Sequence, residues 1–457
     1  MNIYEIGHIF FSVDETNLKY SNRKIDNYFA NSYFWGTVNF LLKFIYSLIF
    51  VRKSFPKIPD EYNGILVYGP SRNNRVSLTP IVEKIGKEKT SLFLEPKFFP
   101  SWKLYWYALP HFFDLVREIR KASPRHKRVI KFFFSKFLRM YGCEKVANQM
   151  VEKYKPNIII MANDHLEINR CLLFAAKARN VKTVYIQHAS VGTTFPPLQF
   201  SYSLLDGLDA LEKYRSIGPL SGNIYLCGGL RFDKISDLKK EKETKIKVGV
   251  AINLVDTPEL VKETCLRLAA MKKIGVEVIL RPHPQMQEDS WRHWCKQHGM
   301  SYSSPMTESS FDFIKKLTVL IANQCSIHLD AAMCRVPSLV YYMSKDGPSD
   351  VYGFVKQGLT CVATNLDEVK EFIDSLDHYV ANKQAIRYFN CSYGTSYEGN
   401  VSSIMASLIS SIQDNDIEHF NSDYSFDITE KGDQYKVYSF KQNEDKSCHG
   451  LPNRIEK

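Results

Sequence analysis

The sequence lacks several patterns that would assign a chemistry at once. It has no Cys-x-x-Cys pair, no histidine and cysteine cluster with zinc spacing, and no G-x-x-x-x-G-K-[ST] or G-x-G-x-x-G loop after an apolar run. These absences argue against a structural zinc site, ATP hydrolysis and dinucleotide redox chemistry. Asp414-Asn-Asp416 has the form of a metal-binding motif but follows an amphipathic helix instead of a buried strand, so we predict no metal and no cofactor.

Disulfide-type cysteine spacing is also missing. The ten cysteines are scattered through the 457 residues, several of them inside apolar runs. Such cysteines behave as small hydrophobic residues and favour a reducing compartment. Glu5, Asp14 and Glu15 interrupt the amino-terminal region, so a cleavable signal peptide is not predicted. We expect a cytoplasmic protein of two main domains, because the chain is too long for one ordinary core.

Positive charge is concentrated in the amino-terminal third. Residues 1–150 hold 24 Lys and Arg against 12 Asp and Glu, whereas the rest of the chain is nearly balanced. A local cationic excess predicts an anionic partner, either a membrane surface or a nucleic acid.

Two segments of this third combine cations with apolar residues. Residues 33–51 are long enough to span a membrane, but Lys43 lies at their centre, where a charge is costly. We therefore favour an interfacial or protein-buried helix. Residues 125–139 alternate cations and aromatics, which suits nucleic acid, a core helix or a membrane-surface helix. We favour the membrane surface, and predict no nucleic-acid partner and a peripheral location at the inner face of the plasma membrane.

From residue 64 onward, apolar runs of strand length alternate with helix-like segments, which predicts an α/β fold with parallel sheets. Strands are predicted at 64–69, 92–94, 157–161, 183–187 and 223–226, and then at 247–252, 276–280, 317–322, 338–343 and 359–363. The predicted organisation is a helical or membrane-associating segment (1–60), a first domain (61–235), a charged linker (236–246), a second domain with a returning helix (247–420), and a disordered tail (421–457).

The loop Arg281-Pro-His-Pro284 is the strongest functional signal. It follows a buried strand, and ligands of open α/β sheets bind beyond the carboxyl ends of the strands. Arg281 offers a planar fork of donors and His283 can donate or carry a proton, so both suit a phosphate group. The alternative is an arginine paired with a surface carboxylate beside an ordinary loop histidine.

A second anion site is predicted after the strand at 317–322. This strand ends at Asn323, and Ser326 is placed to N-cap the next helix, whose free N–H groups would attract phosphate. Asp330, one turn further on, faces the same way and could meet ribose hydroxyls. An ordinary capped helix is the alternative interpretation.

Candidate proton-transfer groups follow two strands of the first half. Asp164 and His165 end one strand, and His188 ends its neighbour. We predict His188 as the general base, with Asp164 second. The loop from Ala189 to Pro197 could close over a substrate.

Four motifs occur in a fixed order: Gln187-His188, Gly228-x-x-Arg231-x-Asp233, Arg281-Pro-His283-Pro284 and Ser326-x-x-x-Asp330-Ala-Ala. As a set, over residues 155–375, they resemble bacterial surface-polysaccharide transferases of GT-B architecture, namely capsule polysialyltransferase-like enzymes and CDP-glycerol glycerophosphotransferases. The resemblance implies two Rossmann-like domains facing each other across a cleft. It implies that His283 and Ser326 contact the donor and that His188 acts as, or near, the base.

The sequence thus predicts a metal-independent glycosyltransferase. Its second domain would bind a CMP-, CDP- or UDP-linked donor through Arg281, His283, Asn323, Ser326 and Asp330, helped by Arg231. The first domain would present a lipid-linked or growing surface glycan, such as capsule, O-antigen or lipooligosaccharide, to His188, Asp164 and His165. The rivals are a sugar-nucleotide 2-epimerase of the same architecture, a CDP-glycerol-type phosphotransferase, and a non-catalytic glycan-assembly subunit.

Overall fold

The computed structural model describes residues 2–13, 28–30, 32–51, 53–58, 60, 62, 64–85, 91–94, 101–235, 245–271, 275–344 and 349–440. Most of the predicted linker, at 236–244, lies outside these residues. Within them the chain forms two α/β units, each built on its own sheet.

The first sheet has eight strands in the order β2-β1-β3-β4-β5-β6-β14-β13. Strands β1–β6 and β14 are parallel, and β13 pairs antiparallel with β14. The bounds are Ile65–Tyr68 (β1), Ser91–Leu94 (β2), Ile158–Met161 (β3), Lys182–Ile186 (β4), Tyr202–Leu205 (β5), Gly222–Leu226 (β6), Phe426–Lys431 (β13) and Tyr435–Phe440 (β14).

Helices precede the first strand of this sheet and connect its later strands. They are Ile3–Ile6 (α1), His8–Ser12 (α2), Tyr33–Phe50 (α3), Arg72–Ile85 (α4), Ser101–Ala108 (α5), Phe112–Lys121 (α6), Pro124–Phe132 (α7), Phe134–Tyr154 (α8), Glu167–Lys177 (α9) and Leu208–Ile217 (α10). Short 3-10 turns occupy Leu109–His111 and Leu230–Ile235. Helix α7 begins at Pro124, because proline fits the first helical turn and the Ser123 side chain caps it.

The second sheet is parallel, in the order β12-β11-β10-β7-β8-β9. Its strands are Lys247–Ala251 (β7), Glu277–Arg281 (β8), Ser301–Tyr302 (β9), Val319–Ala322 (β10), Ser338–Tyr341 (β11) and Cys361–Ala363 (β12). Its helices are Pro258–Ala269 (α11), Glu288–Gln297 (α12), Ser310–Lys315 (α13), Ile327–Met333 (α14), Leu366–Asp374 (α15) and Lys383–Phe389 (α16), with a 3-10 turn at Leu376–His378. The predicted fold class, two Rossmann-like domains, is confirmed.

After the second domain the chain returns to the first. Helix α17 (Val401–Asp414) packs against α4, and its start is fixed by Asp233, whose carboxylate accepts the N–H groups of Val401 (2.9 Å) and Ser402 (2.7 Å). Helix α18 (Ile417–Asp423) and the β13–β14 hairpin follow.

The prediction of a disordered tail from residue 421 is wrong for the described part, 421–440. Strand β14 adds to the first sheet beside β6, and Phe426, Val437 and Phe440 are buried in its cores. The polar residues that suggested disorder include the exposed residues of strand β13, which lies at the edge of the sheet. Residues 441–457 lie outside the described residues.

The amino-terminal helices form a layer on the first domain. The aromatic residues at 132–134 and Phe137 are buried in its core, so the membrane-surface interpretation of residues 125–139 is wrong. Lys136 lies over the rings of Phe10 (5.0 Å to the centroid) and Phe133 (4.9 Å). Helix α3 packs one side, including Phe40 and Phe44, on α5 and α8.

Candidate functional site

Four neighbouring strands of the first sheet bring polar side chains to one edge. Strands β3, β4, β5 and β6 are adjacent and parallel, so their carboxyl ends lie side by side. The chain continues from these ends into Asp164, His188, Asp206 and Arg231, respectively. The edge therefore concentrates two carboxyl groups, an imidazole and a guanidinium.

Asp164 and His165 form a hydrogen-bonded pair. His165 Nδ1 lies 3.0 Å from Asp164 Oδ1, and Nε2 lies 3.2 Å from the side-chain amide of Asn163. The amide orientation is set because Asn163 Oδ1 accepts the N–H groups of His165 (3.1 Å) and Leu166 (2.8 Å), which starts α9. The neutral ring then carries its proton on Nδ1 and presents Nε2 as an acceptor.

The carboxylate of this pair is held rigidly. Asp164 is 1% exposed, and the Tyr214 hydroxyl donates to its Oδ2 at 2.5 Å. The hydroxyl of Tyr185 lies 3.2 Å from that of Tyr214, and both tyrosines are buried. His165 remains partly exposed and packs its ring on Phe195 at 4.7 Å, within the loop predicted to close over substrate.

The ring of His188 is less well hydrogen-bonded than that of His165. Burial, followed by the neighbouring His165, lowers the pKa of His188 to about 4, so the ring is neutral at pH 7. Its Nδ1 is buried and has no hydrogen-bond partner among the described residues. A base of such low pKa is weak at neutral pH. The geometry thus favours His165 over the predicted His188 as the group that accepts a proton.

Asp206 is a functional candidate that the sequence analysis missed. It follows β5, a four-residue strand that was not predicted. Burial, only partly offset by the charge of Arg231, raises the pKa of Asp206 to about 7. Its Oδ1 has no hydrogen-bond partner among the described residues. The available signal was the run Tyr202-Ser-Leu-Leu-Asp206, an aspartate that directly follows apolar residues.

Arg231 joins the two domains. Its Nη2 lies 3.5 Å from Asp330 Oδ1 of the second domain, and its charge acts on both His188 and Asp206 of the first. Asp330 is 7% exposed, and its carboxylate also accepts a hydrogen bond from the Ser310 hydroxyl (3.4 Å). Asp330 is thus bound to Arg231 and Ser310, whereas the sequence analysis predicted that it would face a ligand beside Ser326. Burial raises the pKa of Asp330, and Arg231 opposes this rise.

The motif around Arg231 has a structural reason for its glycine. Gly228 has a φ of +93°, and a Cβ there would lie 2.3 Å from Ser392 Oγ. The next turn packs Phe232 and Ile235 against Leu329, Met333 and other apolar residues of the second domain. This apolar cluster fixes the position of Arg231 between the domains.

In the second domain, Arg281 supports a loop. Its guanidinium donates to Ser303 Oγ (2.7 Å) and to the carbonyl of Glu308 (2.9 Å), and the residue is 8% exposed. His283 is half-buried, and burial lowers its pKa. Since His283 Nδ1 accepts the N–H of Gln285 (3.2 Å), the neutral ring carries its proton on Nε2, where it is a donor.

Asn323 and Gln324 at the end of β10 differ in their bonding. Asn323 donates to Asp256 Oδ1 (2.7 Å) and accepts the N–H of Gln324 (2.7 Å), so its amide is occupied. The side-chain amide of Gln324 is buried, and neither its nitrogen nor its oxygen has a partner among the described residues. Gln324 is therefore a second candidate that the sequence analysis missed, although it directly follows a predicted strand.

Ser326 precedes α14 without capping it through its side chain. Its φ of −62° and ψ of −13° are already helical, whereas a capping residue is usually extended. The predicted cap is wrong in this respect. Helix α14 has only seven residues, so its contribution to an anion site is small.

The site residues thus fall into two sets. His188, Asp164, His165 and Arg231 lie together, and Arg231 connects them to Asp330. Arg281 ends β8 and His283 follows it, whereas Asn323 and Ser326 follow β10. Strand β7 separates these two strands in the second sheet. Within the described residues, no group of three or more histidine, cysteine and acidic residues could hold a metal ion.

No protein-family model and no curated protein sequence matches this chain. Solved structures of similar shape include the UDP-GlcNAc 2-epimerase of Neisseria meningitidis with UDP-GlcNAc bound (13% identity, TM-score 0.48, 76% of this chain and 99% of the other). They also include the lipopolysaccharide outer core galactosyltransferase WaaB (10%, 0.40, 76% and 99%) and Acinetobacter baumannii MurG (9%, 0.45, 76% and 98%). The fold assignment rests on the strand order and connectivity of the chain itself.

Proposed function

We propose that the protein is a GT-B glycosyltransferase that transfers a sugar from a nucleotide-activated donor to a lipid-linked or growing surface glycan. The observation that carries this proposal is the contact of Arg231 with Asp330, at 3.5 Å. Through it, the ionisable edge of the first sheet meets the second domain, as expected if a proton acceptor of the first domain and a donor site of the second act on one substrate.

In the proposed mechanism, the acceptor hydroxyl displaces the Asn163 amide from His165 Nε2. This nitrogen then takes the hydroxyl proton as the acceptor oxygen attacks the sugar. Asp164 holds the ring and stabilises the charge that the ring gains. His188, neutral at pH 7, orients the acceptor by a hydrogen bond. Arg231 and the His283 Nε2–H group stabilise the phosphate charge that develops on the leaving nucleotide, and Gln324, with the Ser326 hydroxyl, binds the donor.

The test measures how far a bound nucleotide raises the melting temperature of the protein. Saturating CMP, CDP, UDP or GDP at 100 times its dissociation constant would raise the free energy of unfolding by about 2.7 kcal/mol. We expect one pyrimidine nucleotide to do so. If none of the four shifted the melting temperature, the donor site would be contradicted.

A 2-epimerase is the second candidate, because the first-domain edge holds more than one proton-transfer group. Besides the Asp164–His165 pair, it contains Asp206, whose pKa is raised by burial to about 7. An epimerase would act on its sugar nucleotide without an acceptor and would exchange the proton at C2. Deuterium incorporation from heavy water into UDP-GlcNAc, without acceptor, would favour this candidate over transfer.

We also propose a peripheral location at the cytoplasmic face of the plasma membrane. Helix α3 is the helix of the described residues that is long and apolar enough to span a bilayer, and only 22% of it is buried. Nearby cations contribute roughly 1 kcal/mol each to binding an anionic surface. Flotation with anionic but not neutral vesicles is expected, and salt-resistant retention in the membrane would indicate a span instead.

A further inference from the structure

A cavity of about 750 Å³ lies between α3 and the loop that carries His165. Its walls include Lys43 and Tyr46 of α3, and Lys136 and Arg139 of α8. His165 itself lines the cavity, so the space reaches the proposed base from the side of the amino-terminal helices. None of the residues proposed for donor binding lines it.

The lining combines an apolar surface with an excess of positive charge. Ile9, Phe10 and Val51 supply apolar wall, and the Lys, Arg and acidic residues of the lining are three cations and the carboxylate of Glu167. Burial alone would raise the pKa of Glu167, but Arg139, at 3.1 Å, and Lys136 hold it below its usual value. The carboxylate is therefore ionised, and the residues that line the cavity carry more positive than negative charge, which suits an anion.

The cavity continues onto an exposed apolar surface. Nine large hydrophobic residues of α3 are exposed: Tyr33, Phe34, Trp35, Leu41, Leu42, Ile45, Tyr46, Ile49 and Phe50. Tyr46, which is 59% exposed, belongs both to this surface and to the cavity wall. Lys43, by contrast, is half-buried and lines the cavity. Its ammonium group, which disfavours a membrane span, therefore does not belong to the exposed apolar surface of α3.

We propose that this cavity binds the phosphate and the adjoining hydrocarbon of an anionic, lipid-linked acceptor. The acceptor enters from the bilayer along α3, its phosphate binds Lys43 and Lys136, and its sugar reaches His165. This inference rests on the proposed transferase function, because it assigns a substrate class to the same proton acceptor. It explains why an apolar helix, a cationic cavity and a carboxylate-bound histidine are contiguous.

The probe for this site is decyl phosphate, used below its critical micelle concentration in titration calorimetry. Inorganic phosphate tests the head group alone, and decyl maltoside tests the chain without charge. We expect decyl phosphate to bind at least tenfold more tightly than either. Equal affinity for decyl phosphate and decyl maltoside would overturn the proposal, because the cations would then have no role.

Two variants locate the binding. Lys43→Met with Lys136→Met keeps the apolar stems and should weaken decyl phosphate binding at least tenfold. Lys131→Met with Lys145→Met removes the same charge from residues that do not line the cavity and should leave binding unchanged; an equal loss in both pairs would overturn the proposal. Ser101→Trp, which fills the cavity, should weaken both amphiphiles, and unchanged binding of decyl phosphate would also contradict the site.

The same variants separate this inference from the proposed function. Nucleotide-induced stabilisation should be unchanged in Lys43→Met/Lys136→Met, since these residues lie in the amino-terminal layer. Failure of every nucleotide with intact decyl phosphate binding would contradict the transferase and leave an amphiphile site. Nucleotide binding without selective decyl phosphate binding would contradict the cavity assignment and leave the donor site.

Discussion

The side chains that follow the strands of the two sheets differ in what they bond to. At the first sheet, Asp164 is bound by His165 and Tyr214, and Asp206 is a buried carboxyl near Arg231. At the second sheet, Arg281 and Asn323 mostly bind loops of their own domain. The first edge therefore concentrates groups that can exchange protons. The groups of the second edge are mostly fixed by bonds within their own domain, with a few open donors and acceptors.

The strongest test of this difference is the loss of the proposed base. His165→Ala should lower the rate of transfer by about 10²–10⁴-fold, the usual contribution of a general base. The measurement is nucleotide release from the identified donor with acceptor present. His293→Ala, on the exposed side of α12, is the matched control and should retain the rate.

His188→Ala in the same assay distinguishes the two histidines. We expect a smaller loss than for His165→Ala, because a neutral His188 only orients the acceptor. If His188→Ala abolished transfer while His165→Ala did not, the assignment predicted from the sequence would hold. If both variants retained the full rate, a non-catalytic subunit would be the better description.

The second test uses the buried carboxyl of the first edge. The pKa of Asp206 in the folded protein, about 7, lies above the ordinary aspartate value of 3.8, so folding takes up a proton between these pH values. The stability that this proton contributes is present below about pH 4 and is lost as the pH rises through 7. Asp206→Asn, which stays neutral, should therefore lose less stability than the wild type between pH 5 and 8, by roughly 2–3 kcal/mol.

Denaturant unfolding at several pH values measures this effect. Asp374→Asn, an exposed carboxylate in the second domain, is the control and should follow the wild type. Parallel curves for Asp206→Asn and the wild type would show that Asp206 is ionised in the folded protein at pH 5. The first sheet would then lack a buried carboxyl that titrates near neutral pH, and the difference between the two sheets would be smaller.

Much of the fold could be predicted from the sequence, because central parallel strands are continuous apolar runs. Strand β5 was missed because its run Tyr202-Ser-Leu-Leu205 contains only two aliphatic residues, and Asp206 was missed with it. The edge hairpin β13–β14 was not predicted, since its residues are mostly polar, include few aliphatics and show no regular hydrophobic period.

The site was predictable in position but less so in bonding. The strand ends at Asp164, His188 and Asn323 follow directly from the pattern. The partners of Arg281, namely Ser303 and Glu308, lie more than twenty residues away, and no local pattern indicates them. The contact between Arg231 and Asp330 depends on how the two domains pack, which short-range sequence patterns do not determine.

The third test concerns the open amide of the second edge. Gln324→Leu removes a buried amide that has no partner among the described residues, so the variant should be about 1 kcal/mol more stable without nucleotide. The same change should weaken nucleotide binding about tenfold, because a polar contact to the donor is lost. Melting with and without nucleotide measures both effects. Asn323→Leu is the control and should destabilise, since its amide is fully bonded; destabilisation by Gln324→Leu would contradict an open amide.

The smallest effect is expected at Ser326. Loss of a capping side chain typically costs 0.5–2 kcal/mol, but Ser326 makes no side-chain cap, so Ser326→Ala should change stability by less than about 0.5 kcal/mol. Ser309→Ala is the matched comparison, because the Ser309 hydroxyl accepts the N–H of Asp312 (3.1 Å) at the start of α13 and its loss should cost about 1 kcal/mol. If Ser326→Ala nevertheless weakens nucleotide binding, the Ser326 hydroxyl binds the ligand and does not stabilise the helix. If Ser326→Ala destabilises as much as Ser309→Ala while nucleotide affinity is unchanged, Ser326 is structural, and the open groups of the second edge are limited to Gln324 and His283.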